Sequence, residues 1–275
     1  MKILVAIPSH KREKSILKET LSWVHKLTGD DVDVKVFVEP QEFVRYMPYI
    51  QALNRQNESE SNLKKIGLVK TEDGAGLSGQ MRRIGEYAKE NGYSYVVKLD
   101  DDMYVTGWKK GDRNEKYNKP KSHIALRQFI DESIELMEQT KAESKPIGGV
   151  GMGVGSYTRW NKEDKTILKE NTPLYFTYLT VPEALTEFDK NNLIFVDVWI
   201  SLIIHRMGMR TVMHGRSSHN GKMYTNAGGI STKGRDEIAK RSAVHIKDQF
   251  PEIKVTKHDK YGWTDIEISE ALKAV

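Results

Sequence analysis

The sequence predicts an α/β fold: a mixed, mostly parallel sheet flanked by helices, formed as a single domain over residues 1–275. Two observations carry this expectation. Short apolar runs rich in β-branched residues, at 3–7, 34–38, 66–69 and 95–99, alternate with stretches whose apolar positions recur at helical spacing. The run at 95–99 leads directly into Asp100-Asp101-Asp102, which places an acidic group at the carboxyl end of a strand, where open α/β sheets bind their ligands. The chain has 275 residues, 38% of them hydrophobic and 29% charged, which suffices for a sizeable core and does not match a disordered chain.

The elements follow in order. Ile3-Leu4-Val5-Ala6-Ile7 reads as a buried strand that Pro8 stops, and Ser9-His10-Lys11-Arg12 is a polar turn behind it. Ile16, Leu17, Thr20, Leu21, Val24 and Leu27 share a helical face, with Gly29 as the stop. A second strand covers 34–38 and ends at Glu39-Pro40; a short helix is expected over 43–53, a surface loop over 54–62 and a third strand over 66–69. The glycine-rich Gly74-Ala75-Gly76-Leu77-Ser78-Gly79 then opens a helix with Met81, Ile84, Tyr87 and Ala88 on one side, closed by Gly92. The fourth strand, 95–99, delivers the three aspartates.

The second half is less regular. A polar, basic loop is expected over 109–121, an amphipathic helix over 124–137, and either a strand with close backbone contacts or a flexible loop over 148–155. A strand-like start at 193 leads to a helix over 198–207, a strand through Val212, and a last helix over 233–250.

Composition excludes some chemistry. The chain has no cysteine, so disulfides, thiolate metal sites and cysteine nucleophiles are ruled out. No apolar run approaches the ~20 residues of a membrane helix, and nothing near Met1 reads as a secretory signal, so the expectation is a cytoplasmic, soluble protein. The net charge of +5 favours an acidic partner such as nucleic acid without requiring one.

Three adjacent carboxylates at a strand end raise one another's pKa unless a cation or water relieves them. Mg²⁺ or Mn²⁺, which prefer carboxylate oxygen and share their sphere with substrate phosphates, would do so; the bland alternative is a solvated acidic turn. Arg82 and Arg83 open a helix whose N-terminus favours phosphate. Asp197 is either a carboxylate that takes a proton or the cap of the helix that follows it. The cations Lys109, Lys110, Arg113, Lys116, Lys119 and Lys121 are interleaved with Trp108 and Tyr117, which suits phosphate contacts beside base stacking, although Asp112 and Glu115 dilute the charge.

The stretch from Gly76 to Arg83, followed by a helix and then Tyr95-Val96-Val97-Lys98-Leu99-Asp100-Asp101-Asp102, resembles the core of GT-A glycosyltransferases, and Val5 to Arg12 is similar to their first strand and turn. The resemblance implies a metal-dependent glycosyltransferase that uses a nucleotide-sugar, expected to be a UDP-sugar, and Mn²⁺ or Mg²⁺. It implies that Asp100 touches the ribose, that Asp102 binds the metal bridging the diphosphate, and that Asp101 shares either role. Pro8, Ser9, Arg12, Glu39, Gly76, Arg82, Arg83 and Lys222 complete the implied donor site, with Lys222 on a polar lid at 220–229. His219, preferred over His214, is the implied third protein ligand of the metal, and Asp197 the base for the acceptor hydroxyl, with 1–105 as the nucleotide-sugar-binding half and 106–275 as the acceptor-binding half. The Lys98 to Met103 stretch and the basic loop together resemble phage DNA-modifying glycosyltransferases of the TET-associated group, which implies transfer to the hydroxymethyl group of a modified pyrimidine such as 5-hydroxymethylcytosine in DNA. Lys109, Lys110, Arg113 and Lys116 would then meet the DNA, in the cytoplasm of a phage-infected bacterial host. The alternatives are a GT-A enzyme acting on polysaccharide, lipid-linked sugar or protein, a sugar nucleotidyltransferase, or a catalytically inactive nucleotide- or DNA-binding module. The nucleotidyltransferases' basic glycine-rich first loop is missing at Pro8-Ser9-His10-Lys11.

Overall fold

A computed structural model describes residues 1–58, 60, 63–74, 76–154, 164–188, 194–221, 235–257, 264–268 and 271–272. The strands are β1 (Ile3–Pro8), β2 (Val32–Val38), β3 (Ile66–Lys70), β4 (Tyr95–Lys98), β5 (Met103–Lys109), β6 (Asp112–Tyr117), β7 (Ile147–Val154), β8 (Ile167–Glu170), β9 (Tyr178–Thr180), β10 (Arg210–Gly221), β11 (Lys254–Lys257) and β12 (Thr264–Glu267). The helices are α1 (Ser15–Lys18), α2 (Leu21–Val24), α3 (Pro40–Glu58), α4 (Gly76–Glu90), α5 (Ser122–Thr140), α6 (Pro182–Thr186), α7 (Val196–Arg206) and α8 (Arg235–Gln249).

Ten strands form one sheet in the order β3-β2-β1-β4-β9-β7-β10-β5-β6, with β8 also pairing β10. The first four are mutually parallel, as the alternation of strands and helices predicts. Beyond β4 the sheet is mixed: β9 runs antiparallel to both β4 and β7, β10 is parallel to β7, and β5 and β8 are antiparallel to β10. Following these directions across the sheet, only β5, β8 and β9 oppose the rest among the described residues, so the predicted mixed, mostly parallel α/β sheet is what forms.

Both faces are covered, so β1 is apolar at every position. In β1, Ile3, Val5 and Ile7 pack with α2, α3 and α5, while Leu4 and Ala6 pack with α4, α6 and α7 on the other side. These side chains are fully buried, and Ile3, Leu4, Val5 and Ile7 each stabilise the fold by about 1.5–3 kcal/mol on transfer from water.

Several boundaries differ from the sequence reading. The helix expected through Leu27 is broken into α1 and α2 around Thr20, whose hydroxyl leaves the helical pattern to donate to the Asp100 carbonyl (2.8 Å) and to accept from the Met103 amide (3.0 Å). The helix α3 extends through much of the expected 54–62 loop, because Asn54 closes a two-way pair with the backbone of Ile66 and Asn57 donates to the Lys64 carbonyl. The expected basic loop is instead the β5–β6 pair and a short 3-10 turn, Lys119–Lys121. Residues 148–154 form β7 rather than a flexible loop. A Cβ on Gly149 would lie 2.7 Å from both Ile204 and Leu174, so the glycine lets helix and strand approach. The strand-like start expected at 193 does not form where the chain is described; Val196 already opens α7. The strand after α7 runs on through His219 to Gly221.

Candidate active site

The carboxyl ends of β1 and β4 lie side by side, because the strands are parallel neighbours in register. The turn after β1 therefore meets the turn carrying Asp100 to Asp102. Ser9 donates to Asp101 Oδ2 (2.5 Å), which leaves Tyr46 on α3 to donate its hydroxyl to Ser9 Oγ (2.8 Å) and to accept from the Arg12 amide (2.8 Å). The Arg12 guanidinium bridges Asp101 (2.5 Å) and Asp102 (2.8 Å). Burial pushes the Asp101 carboxyl up to about 7 against the pull of Arg12 and Ser9. The middle aspartate is thus turned inward with both oxygens held by protein donors, and its two neighbours are more open. Glu42 supports the same turn from α3, accepting from the Lys11 amide at 2.8 Å and lying 3.1 Å from His10 Nδ1.

Lys98 is the unexpected member. Alternation along β4 places it with Val96 on the face covered by α4, α6 and α7, opposite Tyr178 of β9, at 2% exposure. Its ammonium lies 2.6 Å from Asp100 and 3.8 Å from Asp197. Burial alone would lower the ammonium's pKa, but Asp100 and Asp197 outweigh it and hold the group charged. Asp197 sits in the first turn of α7 and makes no capping hydrogen bond; the residue before the helix is Phe195. The cap alternative therefore does not hold. One oxygen, Oδ2, accepts from the Phe176 amide (3.1 Å), and Oδ1 has no hydrogen-bond partner among the described residues. Burial raises the Asp197 pKa, Lys98 lowers it, and the net direction is upward.

His219 of β10 pairs with Val105, and two residues on, Gly221 pairs with Met103, so the end of this strand runs alongside the aspartate turn. The ring packs edge-on against Phe176 at 4.9 Å, and neither nitrogen has a hydrogen-bond partner among the described residues. Burial, followed by the charge of Lys98, lowers its pKa to about 3, so the imidazole is neutral at physiological pH. His214, five residues earlier, is fully buried, lies 2.9 Å from Glu132 and packs on Phe129. That is a structural role. No three His, Asp or Glu side chains among the described residues are grouped to enclose a cation. The donor chemistry of Asp102 and His219 nonetheless fits a hard divalent ion that keeps most of its sphere for water and phosphate oxygens: one carboxylate, and one neutral imidazole with unused nitrogens.

The remaining residues fall into three groups. Glu39 is buried at the end of β2, where it accepts from the Gly76 amide at 3.2 Å and from Gln41, so Glu39 and Gly76 form one corner. Pro8 closes β1 opposite Phe37. Arg82 pairs with Glu86, and Arg83 with Glu86 and Glu90, along the same helix α4; neither meets the aspartates. On the β5–β6 pair, Lys109 bridges to Glu115 and Lys110 to Glu135, while Lys116 lies over the Trp108 ring at 5.4 Å. Arg113 lies on β6 with its side chain outside the described part, and Lys222 and the expected lid from 222 onward lie outside the described residues. Lys98, Tyr178, Tyr46 and Glu42 were not singled out from sequence. A lysine inside an otherwise apolar strand was the available signal for the first.

A family model described as TET-Associated Glycosyltransferase matches residues 3–229. The chain belongs to this family. It is a glycosyltransferase, and the site above lies wholly within the matched span. Among solved structures this glycosyltransferase is similar to S. aureus TarS 1–349 in complex with UDP (TM-score 0.48, 11% identity), covering 90% of this chain and 66% of that one, just under two thirds of its length. It is also similar to glucosyl-3-phosphoglycerate synthase from Mycobacterium tuberculosis in complex with Mn²⁺, UDP-glucose and phosphoglyceric acid (TM-score 0.48, 12% identity; 90% and 79% covered). A UDP-glucose pyrophosphorylase complexed with UDP-glucose is a further neighbour (TM-score 0.44, 14% identity; 90% and 100% covered). No curated protein matches. No helix among the described residues is long and apolar enough to cross a membrane.

Proposed function

We propose that this glycosyltransferase moves a sugar from a nucleotide-sugar, a UDP-sugar by preference, to the hydroxymethyl group of 5-hydroxymethylcytosine in DNA. The observation that carries the transfer chemistry is the convergence of Asp100 and Asp197, both partly exposed, on the buried Lys98 beside the Asp102 turn. Asp100, Glu39 and the Ser9–Arg12 turn hold the nucleoside, and Arg12 faces the diphosphate. Asp102 and His219 would hold a Mn²⁺ or Mg²⁺ ion, which would neutralise charge on the departing diphosphate. In a direct displacement the acceptor oxygen bonds to the anomeric carbon as the bond to the phosphate oxygen breaks. The bond's electron pair leaves with the diphosphate, and the hydroxyl proton passes to Asp197. Its Oδ1 is the oxygen available for this, since Oδ2 is occupied by the Phe176 amide.

The DNA acceptor is supported by the net charge of +5 and by the Lys109, Lys110 and Lys116 cations on the strand pair that continues from the aspartate turn. The target base must be turned out of the stack to reach the recessed Asp197 carboxylate. This reading places the enzyme in a bacterial cytoplasm during phage infection. Binding of UDP by calorimetry, with and without Mn²⁺, tests the donor site. Mn²⁺ should tighten binding in the native enzyme and in Asp197→Asn, and should fail to do so in Asp102→Asn. Metal-indifferent binding in the native enzyme would remove the assignment of Asp102.

A further inference from the structure

We propose that Lys98 is a positioning residue for sugar transfer, its buried ammonium tying the donor-side Asp100 to the acceptor-side Asp197. The inference rests on the reading of Asp197 as the base, and it adds that this base is held in place from the donor side.

A charged lysine is an improbable residue for this position on packing grounds alone. Its neighbours on the same sheet face are Val96, Leu4 and Ala6, all fully buried, and a methionine or leucine would fill the space at no electrostatic cost. The ammonium is instead kept and is fully used: Asp100 at 2.6 Å, Asp197 at 3.8 Å, and the Tyr178 ring at 5.8 Å. Tyr178 caps the pair from β9, and its own hydroxyl is buried without a hydrogen-bond partner among the described residues. The cation faces two carboxylates from two different elements, the turn after β4 and the first turn of α7, with His219 of β10 also within its field. Without it, two partly buried carboxylates would repel each other, and Asp197 would be held by the Phe176 amide alone.

A residue that only filled space would contribute independently of Asp197. A residue that acts through Asp197 would not, and a double-mutant cycle separates the two. Lys98→Met, Asp197→Asn and the double variant are compared for kcat, for donor KM and for UDP affinity, with urea unfolding to confirm that each is folded. Asp197→Asn should cut kcat on the order of a hundredfold and leave UDP affinity unchanged. Lys98→Met should cut kcat at least tenfold and also weaken UDP binding, because Asp100 loses its anchor. The double variant should turn over no more slowly than Asp197→Asn alone. If Lys98→Met fails to fold, Lys98→Gln, which still donates to Asp100 but carries no charge, replaces it in the same cycle. Losses that multiply in the double variant, or a Lys98 variant with native kcat, would overturn the proposal and leave the base intact. Native kcat in Asp197→Asn would instead overturn the base reading.

Discussion

Tyr46→Phe is the most revealing small perturbation of the site, because it removes one oxygen and leaves the ring in place. Tyr46 is wholly buried on α3, more than thirty residues away from the turn it holds. Its hydroxyl accepts from the Arg12 amide and donates to Ser9 Oγ, both at 2.8 Å. Ser9 keeps Asp101 as a partner after the change, so that side loses one ordinary bond, about 1 kcal/mol. The Arg12 amide loses its acceptor in a partly buried position, at about 1–2 kcal/mol. No cavity forms, so no packing cost is added. The expected loss is about 2–3 kcal/mol, seen in urea unfolding as a lower midpoint with an unchanged slope. The freed turn should also let Arg12 drift from Asp102, raising the KM for the nucleotide-sugar more than it lowers kcat. A loss below about 0.5 kcal/mol with an unaltered donor KM would refute the idea that α3 sets the geometry of this turn.

Three further outcomes are expected. His205 on α7 is held down to about 4 by burial, and by the Lys145 charge, from an ordinary value of 6.5. Between those values the unfolded chain binds the extra proton, so stability rises with pH from about 4 to 6.5 and is flat above, by roughly 3 kcal/mol in all; His205→Phe should flatten that limb in unfolding measured across pH. Gly85→Ala puts a Cβ 2.7–2.8 Å from Leu185 and the Thr186 amide where α4 meets α6; despite alanine's better helix propensity it should lower stability by about 1–3 kcal/mol in the same assay, and an unchanged midpoint would mean that the helices separate freely. Replacing Lys109, Lys110 and Lys116 with alanine should flatten the salt dependence of duplex-DNA binding, read by fluorescence anisotropy, by roughly one unit of slope per lost phosphate contact, with UDP affinity unchanged; a native slope would remove these residues from the interface.

The parallel half of the sheet was legible because strand 3–7 advertises itself as an unbroken apolar run and 34–38 as one interrupted only by Lys35, and because helix α4 keeps its apolar face at Met81, Ile84 and Ala88. The aspartate turn and Asp197 were legible as residue types. Their division of labour was not. That Asp101 turns inward depends on Ser9, Arg12 and Tyr46, which reach it from the far side of two chain crossings, and no local pattern encodes that meeting. The break between α1 and α2 was hidden for the same reason: Thr20 fits the helical face, and only its bonds to Asp100 and Met103 reveal why the helix yields there. The antiparallel insertion of the three-residue strand β9 between β4 and β7, which puts Tyr178 over Lys98, is too short to show any period.

The account stands most directly on product mass. The enzyme is offered duplex DNA containing 5-hydroxymethylcytosine, and matched DNA containing cytosine, with a panel of UDP-sugars and Mn²⁺, and the oligonucleotides are weighed by mass spectrometry. The account predicts that one sugar residue is added per modified base, that unmodified DNA is left untouched, and that the gain is lost in Asp197→Asn. Transfer of sugar to a polysaccharide, lipid-linked or protein acceptor, with both DNAs left at their original mass, would contradict it.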